Sequence, residues 1–320
     1  MSFSERYAPP KPPRWRRILS VDTAQSIVTF VIAIGLIVVV GYLTYTSIDR
    51  SGRLADPTPR PAADQPDQPD PPKGTKSIEL TAADGTGLAA WLAPAEAKKS
   101  TTAVVLVHDA GGQRGDMARL ARALSERHDV VLLDLRGHGD SDDAPTTLGP
   151  AEADDVRAAI EAAIATGDKR VALVGVGLGA SAVLAAASGD SRVDGIVAVA
   201  PWPHVSEAVA AELEASDIAL AWPADWATLV ALLFRTGRDV TSADVMDTVT
   251  RTTAPILVVA GTEDDLLPAA TLRTLENLAT DLSTWQVPGD REAAAAVIAQ
   301  RSGIDRIAEF IDAAFKGGGR

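Results

Sequence analysis

Apolar residues fall into three regimes along this chain. Between Thr23 and Ile48 no residue is charged, and the 19 residues from Ile27 to Tyr45 are almost wholly apolar. At 1.5 Å per residue such a helix spans roughly 28 Å, the hydrocarbon thickness of a bilayer. A core helix of a globular domain keeps a polar face. A cleaved leader has a shorter apolar stretch followed by a small-x-small site, and no such site follows here. The pattern therefore predicts a transmembrane helix over residues 23–48 behind a tail of residues 1–22, with Tyr42 and Tyr45 near one interface. Residues 49–75 are rich in Pro, Asp and Gln and show no apolar period. Such a segment cannot bury enough surface to fold. Its prolines predict an extended spacer that holds whatever follows off the membrane.

From Ser77 the pattern changes again. Ser77–Leu80 and Leu88–Leu92 predict a strand pair around the turn Asp84-Gly85. Apolar, β-rich runs follow at Ala103–Val107, Val130–Leu135, Val171–Val174, Val193–Val199 and Ile256–Val259, with a weaker one at Leu282–Val287. Between them lie helical stretches at Asp116–Arg127, Ala151–Thr166, Ala180–Ser188 and Ala269–Thr280. Continuous apolar runs mark strands buried on both faces. Their alternation with helices predicts an α/β domain over residues 76–320: a doubly wound, mostly parallel sheet whose functional groups sit at the carboxyl ends of the strands. About fifty residues, 202–252, interrupt the alternation without a clear strand and read as a helical cap, packed in part by Trp202, Trp222 and Trp226.

Charge sharpens the division. The first 60 residues carry eight basic and four acidic side chains, whereas the other 260 carry 22 and 39. The acidic body argues against nucleic acid as a partner. Arg6, Lys11, Arg14, Arg16 and Arg17 precede the apolar span, and only the more dispersed Arg50, Arg53 and Arg60 follow it. The excess of basic residues on the N-terminal side predicts a cytoplasmic N-terminus and an extracytoplasmic domain in a single-pass cell-membrane protein. There is no cysteine, which excludes disulfides, thiolate metal sites and a cysteine nucleophile.

Three motifs, in order, resemble the α/β-hydrolase superfamily of serine esterases and lipases from about Ser77 to Phe315. Val107-His108-Asp109-Ala110-Gly111-Gly112 resembles the segment after the third strand that supplies an oxyanion-hole amide. Asp134 to Ser141 is similar to the D-x-R-G-H-G-x-S turn, and Pro255 to Pro268 resembles the strand and loop that carry the triad acid, with Asp264 at its place. The resemblance implies acyl-transfer chemistry, which needs a nucleophile on a G-x-S-x-G elbow, a histidine to take its proton and a carboxylate to orient that histidine. Here the elbow reads Gly175-Val176-Gly177-Leu178-Gly179, so the nucleophile is replaced by Gly177. The loop that would carry the histidine reads Val287-Pro288-Gly289-Asp290-Arg291-Glu292, with Arg291 at the approximate histidine place. The four histidines are His108, His128, His138 and His204, and none lies later. Arg291 could pair with Asp264 or Asp265 as a substitute for the triad contact.

Other readings of the same residues compete. Gly175 to Ala180 also fits the dinucleotide fingerprint, but it lies deep in the sheet and Asp194 precedes its strand. Ser181, two residues past the last elbow glycine, Gly179, and inside the next helix, is expected to bond a backbone carbonyl one turn earlier. A metal site from His108, Asp109 and His138 has irregular spacing, and no metal or cofactor is expected. The expectation is a membrane-anchored pseudo-hydrolase: degenerate catalytic places at Gly177, Asp264 and Arg291; an oxyanion-like pocket at His108, Asp109, Ala110, His138 and Leu178; the lipid bilayer as partner through residues 23–48; and an unnamed protein or small molecule as ligand. The alternatives are an esterase-like hydrolase rewired around His108, His138 or Ser181, and a sensor that keeps a small-molecule pocket under the cap.

Overall fold

A computed structural model describes residues 21–56, 70–97, 100–167, 170–203 and 221–317. The tail of residues 1–20, most of the proline-rich segment, His204 and the start of the cap lie outside the described residues, as do the side chains of Trp222 and Trp226.

The strands are β1 (Lys76–Thr81), β2 (Gly87–Ala93), β3 (Thr102–Val107), β4 (Asp129–Leu133), β5 (Arg170–Val176), β6 (Val193–Val199), β7 (Ile256–Gly261) and β8 (Leu282–Val287). They form one sheet in the order β1-β2-β4-β3-β5-β6-β7-β8. β1 and β2 make the expected antiparallel hairpin and β2 joins β4 antiparallel, while every pair from β4 to β8 is parallel. Among the described residues the α-helices are α1 (Val21–Ala55), α2 (Ala118–Leu124), α3 (Pro150–Ala165), α4 (Leu178–Ala187), α5 (Ala221–Thr236), α6 (Val245–Thr250), α7 (Ala269–Leu278), α8 (Arg291–Ala295) and α9 (Arg301–Gly317).

Strand alternation sorts the core into two layers. Along β3, Ala103, Val105 and Val107 face one layer, whereas Val104 and Leu106 face the other. The first layer is closed by α3, α4, α6 and α7 through residues such as Ile160, Leu184, Val249 and Leu275. The second is closed by α2 and α9 through Leu120, Leu124, Ile307, Ile311 and Phe315. This is the doubly wound sheet that continuous apolar runs require. Between β6 and β7 the described residues form α5, α6 and a short 3-10 turn, Val240–Ala243, joined by irregular chain, and no strand.

The N-terminal helix departs from expectation. α1 is 35 residues long and its apolar window, Val28–Asp49, is long and apolar enough to cross a membrane, with no residue buried from Val28 to Thr46. The helix does not end at Ile48: residues 49–55, expected to open the spacer, continue it to Ala55. Its last turns pack directly on the folded domain. Ser47, Ser51, Gly52 and Ala55 are buried, and Leu43 reaches the cluster of Leu232, Val240 and Leu148. The N–H of Thr146 donates to the Ala55 carbonyl at 2.8 Å, and Arg235 pairs with Asp56. A spacer composition did not prevent helix formation because small residues at four-residue intervals let α5 approach closely.

The turn after β4 is locked by charge. The guanidinium of Arg136, 4% exposed, donates to both carboxylate oxygens of Asp155 on α3 and to Asp84 in the β1–β2 turn. Asp155 is fully buried, and burial pushes its carboxyl up, to about 6, against the opposing pull of Arg136. The Arg136 contact holds Asp84 well below the usual carboxylate range. Replacing Arg136 by Ala leaves Asp155 buried without a cation, which costs about 3–5 kcal/mol. A carboxyl raised in the folded state favours folding when protonated, so its contribution is lost as pH rises through the folded value of about 6. Thermal unfolding of Arg136→Ala in detergent micelles should therefore fall below wild type by more at pH 8 than at pH 5. Equal deficits at both pH values would contradict the buried pair.

Candidate functional site

The carboxyl ends of β3, β4, β5, β7 and β8 bring the singled-out residues to one side of the sheet. The elbow between β5 and α4 is shaped by its three glycines, each for a separate reason. A Cβ at Gly175 would meet the backbone of Gly179 and Ala180, and one at Gly179 would meet the carbonyls of Val107 and His108. These two glycines let α4 cross close over β5 and β3. Gly177 has φ +52° and ψ −113°, a conformation that strains any residue with a side chain.

The space above Gly177 is filled by Asp109. A Cβ at residue 177 would fall on the Asp109 carboxylate. One carboxylate oxygen, Oδ1, accepts the N–H of Leu178 at 2.8 Å and the N–H of Ala110 at 2.7 Å. These are the amide following the nucleophile place and an amide from the loop after β3, the pair that forms an oxyanion hole in the esterase arrangement. Both lie within the range at which such donors hold a developing oxyanion. Asp109 thus places its own carboxylate where acyl-transfer chemistry would create a transient oxyanion. It also caps α4: the N-cap Gly177 has no side chain, and a carboxylate from another loop supplies the acceptor and the negative charge that a helix N-terminus favours.

The two nearby histidines hold backbone. Leu135 N–H donates to Nε2 of His108 at 3.1 Å, which leaves Nδ1–H to donate to the Asp109 carbonyl at 2.7 Å. Gly111 N–H donates to Nε2 of His138 at 3.1 Å, and Nδ1–H donates to the Arg136 carbonyl at 2.8 Å. The rings lie 5.2 Å apart, centroid to centroid. Burial, then the proximity of His138, lowers the pKa of His108, in keeping with a neutral ring. Each imidazole has spent both nitrogens on main chain and has none free to take a proton. Together they staple the loop of residues 109–112 to the turn after β4, which fixes the Asp109 carboxylate. His128 lies at the opposite ends of the strands, between Thr102 and Asp312.

Asp264 and Arg291 come together as a salt bridge, Nη1 to Oδ2 at 3.5 Å, while Asp265 does not enter it. Asp264 is buried rather than superficial, and its Oδ1 caps its own loop through the N–H groups of Leu266 and Leu267. Arg291 also donates to the carbonyls of Ala200 and Pro201, and its guanidinium sits 5.9 Å from the centroid of the Trp202 ring. Burial holds its pKa below the usual arginine value, while the charges of Asp264 and Asp109 oppose that shift. A guanidinium remains protonated and cannot serve as a general base. Its contacts instead tether the chain leaving β6, where Ala200 is held at φ +49°.

Ser181 does not bond the preceding turn through its hydroxyl as expected. Its Oγ accepts the N–H of Trp202 at 3.1 Å, which occupies it at the root of the cap. A groove of about 500 Å³ lies elsewhere, along the β1–β2 edge, lined in part by Glu79, Leu88, Arg114 and Asp142.

The resemblance to the family's motifs flagged Gly177, Asp264 and Arg291, but not that the Asp109 side chain fills the gap. The readable sign was volume: an elbow reduced to glycine leaves space and two unpaired amides that a neighbour must occupy. Gly177→Ala adds backbone strain and a clash with Asp109, together about 2–4 kcal/mol of stability. Adding Asp109→Gly removes the clash and should return part of that loss. A double-mutant cycle by thermal unfolding checks it, and strictly additive effects would contradict the contact.

Residues 104–317 match the alpha/beta hydrolase family. Over 135 residues the chain is 33% identical to the uncharacterised protein YfhR of Escherichia coli, an alignment covering 40% of this chain and 46% of that protein, so it spans about half the relative's length. Among solved structures, an esterase of Pyrococcus furiosus superposes with a TM-score of 0.59 at 18% identity, over 75% of this chain and 92% of the esterase. A proline iminopeptidase of Mycobacterium smegmatis gives 0.53 at 16%, over 75% and 98% of the two chains. E-2-(acetamidomethylene)succinate hydrolase gives 0.55 at 22%, over 74% and 99%. At these identities the likeness to the solved structures is one of fold. The sheet order, the glycine-built elbow and the family match agree: this chain belongs to the α/β-hydrolase family.

Proposed function

We propose that the chain is a membrane-anchored α/β-hydrolase-fold protein without hydrolytic activity, which acts by binding a protein or small-molecule ligand. The observation that carries this reading is the Asp109 carboxylate on the amides of Leu178 and Ala110. A site that keeps a negative charge there repels the tetrahedral oxyanion of acyl transfer instead of stabilising it. Removing a single oxyanion-hole donor costs about 10²–10³ in rate, and here both donors are engaged. Three further features support it: glycine in place of the nucleophile, a guanidinium beside the triad acid, and two histidines saturated by main chain. A rewired esterase would need a free base near the elbow, and His108, His138 and Ser181 are all committed to backbone partners.

The anchor is the apolar span of α1. The basic residues ahead of it favour a cytoplasmic N-terminus and an extracytoplasmic domain.

The purified full chain in detergent should hydrolyse p-nitrophenyl acetate and butyrate no faster than its Asp264→Ala variant, and should not react with a fluorophosphonate probe. Turnover that disappears on Asp264→Ala, or a fluorophosphonate adduct on Ser181, would overturn the proposal.

A further inference from the structure

The large apolar side chains left exposed are not scattered over the domain. Among the described residues, all but Leu278 lie on α1 or α5. On α5 they are Val230, Leu233 and Phe234, exposed by 47%, 44% and 84%. The spacing i, i+3, i+4 puts them on one face of the helix. The opposite side of α5 is buried: Thr228 and Leu232 are fully enclosed, and Leu229 and Leu232 belong to the cluster that Leu43 of α1 reaches.

That contact fixes the height of α5 along the anchor. Leu43 lies inside the apolar span, Val28–Asp49. At the other end of the helix pair, Arg235 meets Asp56, a charged contact suited to the aqueous side. α5 therefore flanks the end of the span, where Tyr42 and Tyr45 are themselves exposed by 51% and 71%. Val230, Leu233 and Phe234 lie on the side of α5 away from its buried contacts and just ahead of Arg235, so they sit near the level of the last turns of α1, beyond Asp49.

We infer that α5 is a second membrane contact: it lies at the bilayer interface, with Val230, Leu233 and Phe234 inserted at the boundary of headgroups and acyl chains, and seats the hydrolase-fold domain on the membrane surface. The inference rests on the reading of α1 as a transmembrane anchor. The occupant is lipid, because the face belongs to a helix packed beside an anchor whose own exposed apolar side chains meet lipid once α1 spans. Apolar side chains held at that boundary reach about 5–10 Å into it. The domain is thereby docked, and the chain between α1 and β1 does not act as a stand-off.

The absence of cysteine makes any introduced thiol unique. The full chain is reconstituted into phosphatidylcholine vesicles with an environment-sensitive fluorophore at Phe234→Cys, at Val38→Cys in the anchor, or at the exposed Arg119→Cys on α2. Nitroxide quenchers are placed on the lipid near the headgroup or at the chain end. The label at 234 is expected to shift to the blue and to be quenched more by the shallow nitroxide than by the deep one. The label at 38 should be quenched most by the deep nitroxide, and the label at 119 by neither. A label at 234 that behaves like the one at 119, while 38 is quenched, overturns the inference and leaves the anchor standing. No quenching at 38 overturns the anchor itself. A blue-shifted but unquenched label at 234 means that protein covers the face, which also overturns it. Leu233→Cys repeats the measurement should Phe234→Cys fail to fold.

Discussion

The carboxylate of Asp109, held between the N–H groups of Leu178 and Ala110, is the contact on which the rest of this site depends. It fills the volume left by a glycine elbow, caps α4 and occupies the donors that the fold would otherwise turn toward a substrate. Hydrogen bonds to an ionised acceptor are roughly twice as strong as neutral ones. The arrangement is therefore a stable end state, in which the oxyanion is a built-in side chain. Gly177 and Asp109 are two halves of one substitution: a side chain at 177 excludes the carboxylate, and the carboxylate excludes a side chain at 177.

The surrounding residues follow from it. Arg291 pairs with the Asp264 carboxylate while tethering Ala200 and Pro201. His108 and His138 then serve as clamps that hold the Asp109 loop against the turn after β4. Arg136 locks that same turn to α3 and to the β1–β2 hairpin. At the family's catalytic places and beside them, Asp109, Asp264, Arg291 and the two histidines each bond groups of the chain itself.

Much of this was legible in the residues. Continuous apolar runs marked the parallel strands, the three glycines marked the elbow, and the motifs offered Arg291 a partner in Asp264 or Asp265, of which the fold takes Asp264. What was not legible depends on direction in space. Nothing in the sequence says which way Asp109 points, and a His near a strand end reads equally well as a base or as a clamp until its hydrogen-bond partners are known. Residues 49–55 carry Asp, Arg, Ser and Gly and read as spacer, yet Ser47, Ser51 and Ala55 recur at a helical interval and are buried against the domain. α9 was readable, since Ile304, Ile307, Ala308, Ile311 and Phe315 repeat with helical spacing, but alternation of strands carries no information beyond the last strand.

The most direct test is the amide environment of the elbow. In the isotopically labelled chain, the amide protons of Ala110 and Leu178 should both be shifted downfield by the carboxylate and should both move upfield in Asp109→Ala. The amide of Gly111, which is held by His138, should move less. Resonances of Ala110 and Leu178 that stay in place when Asp109 is removed would contradict an oxyanion hole filled by the protein's own carboxylate.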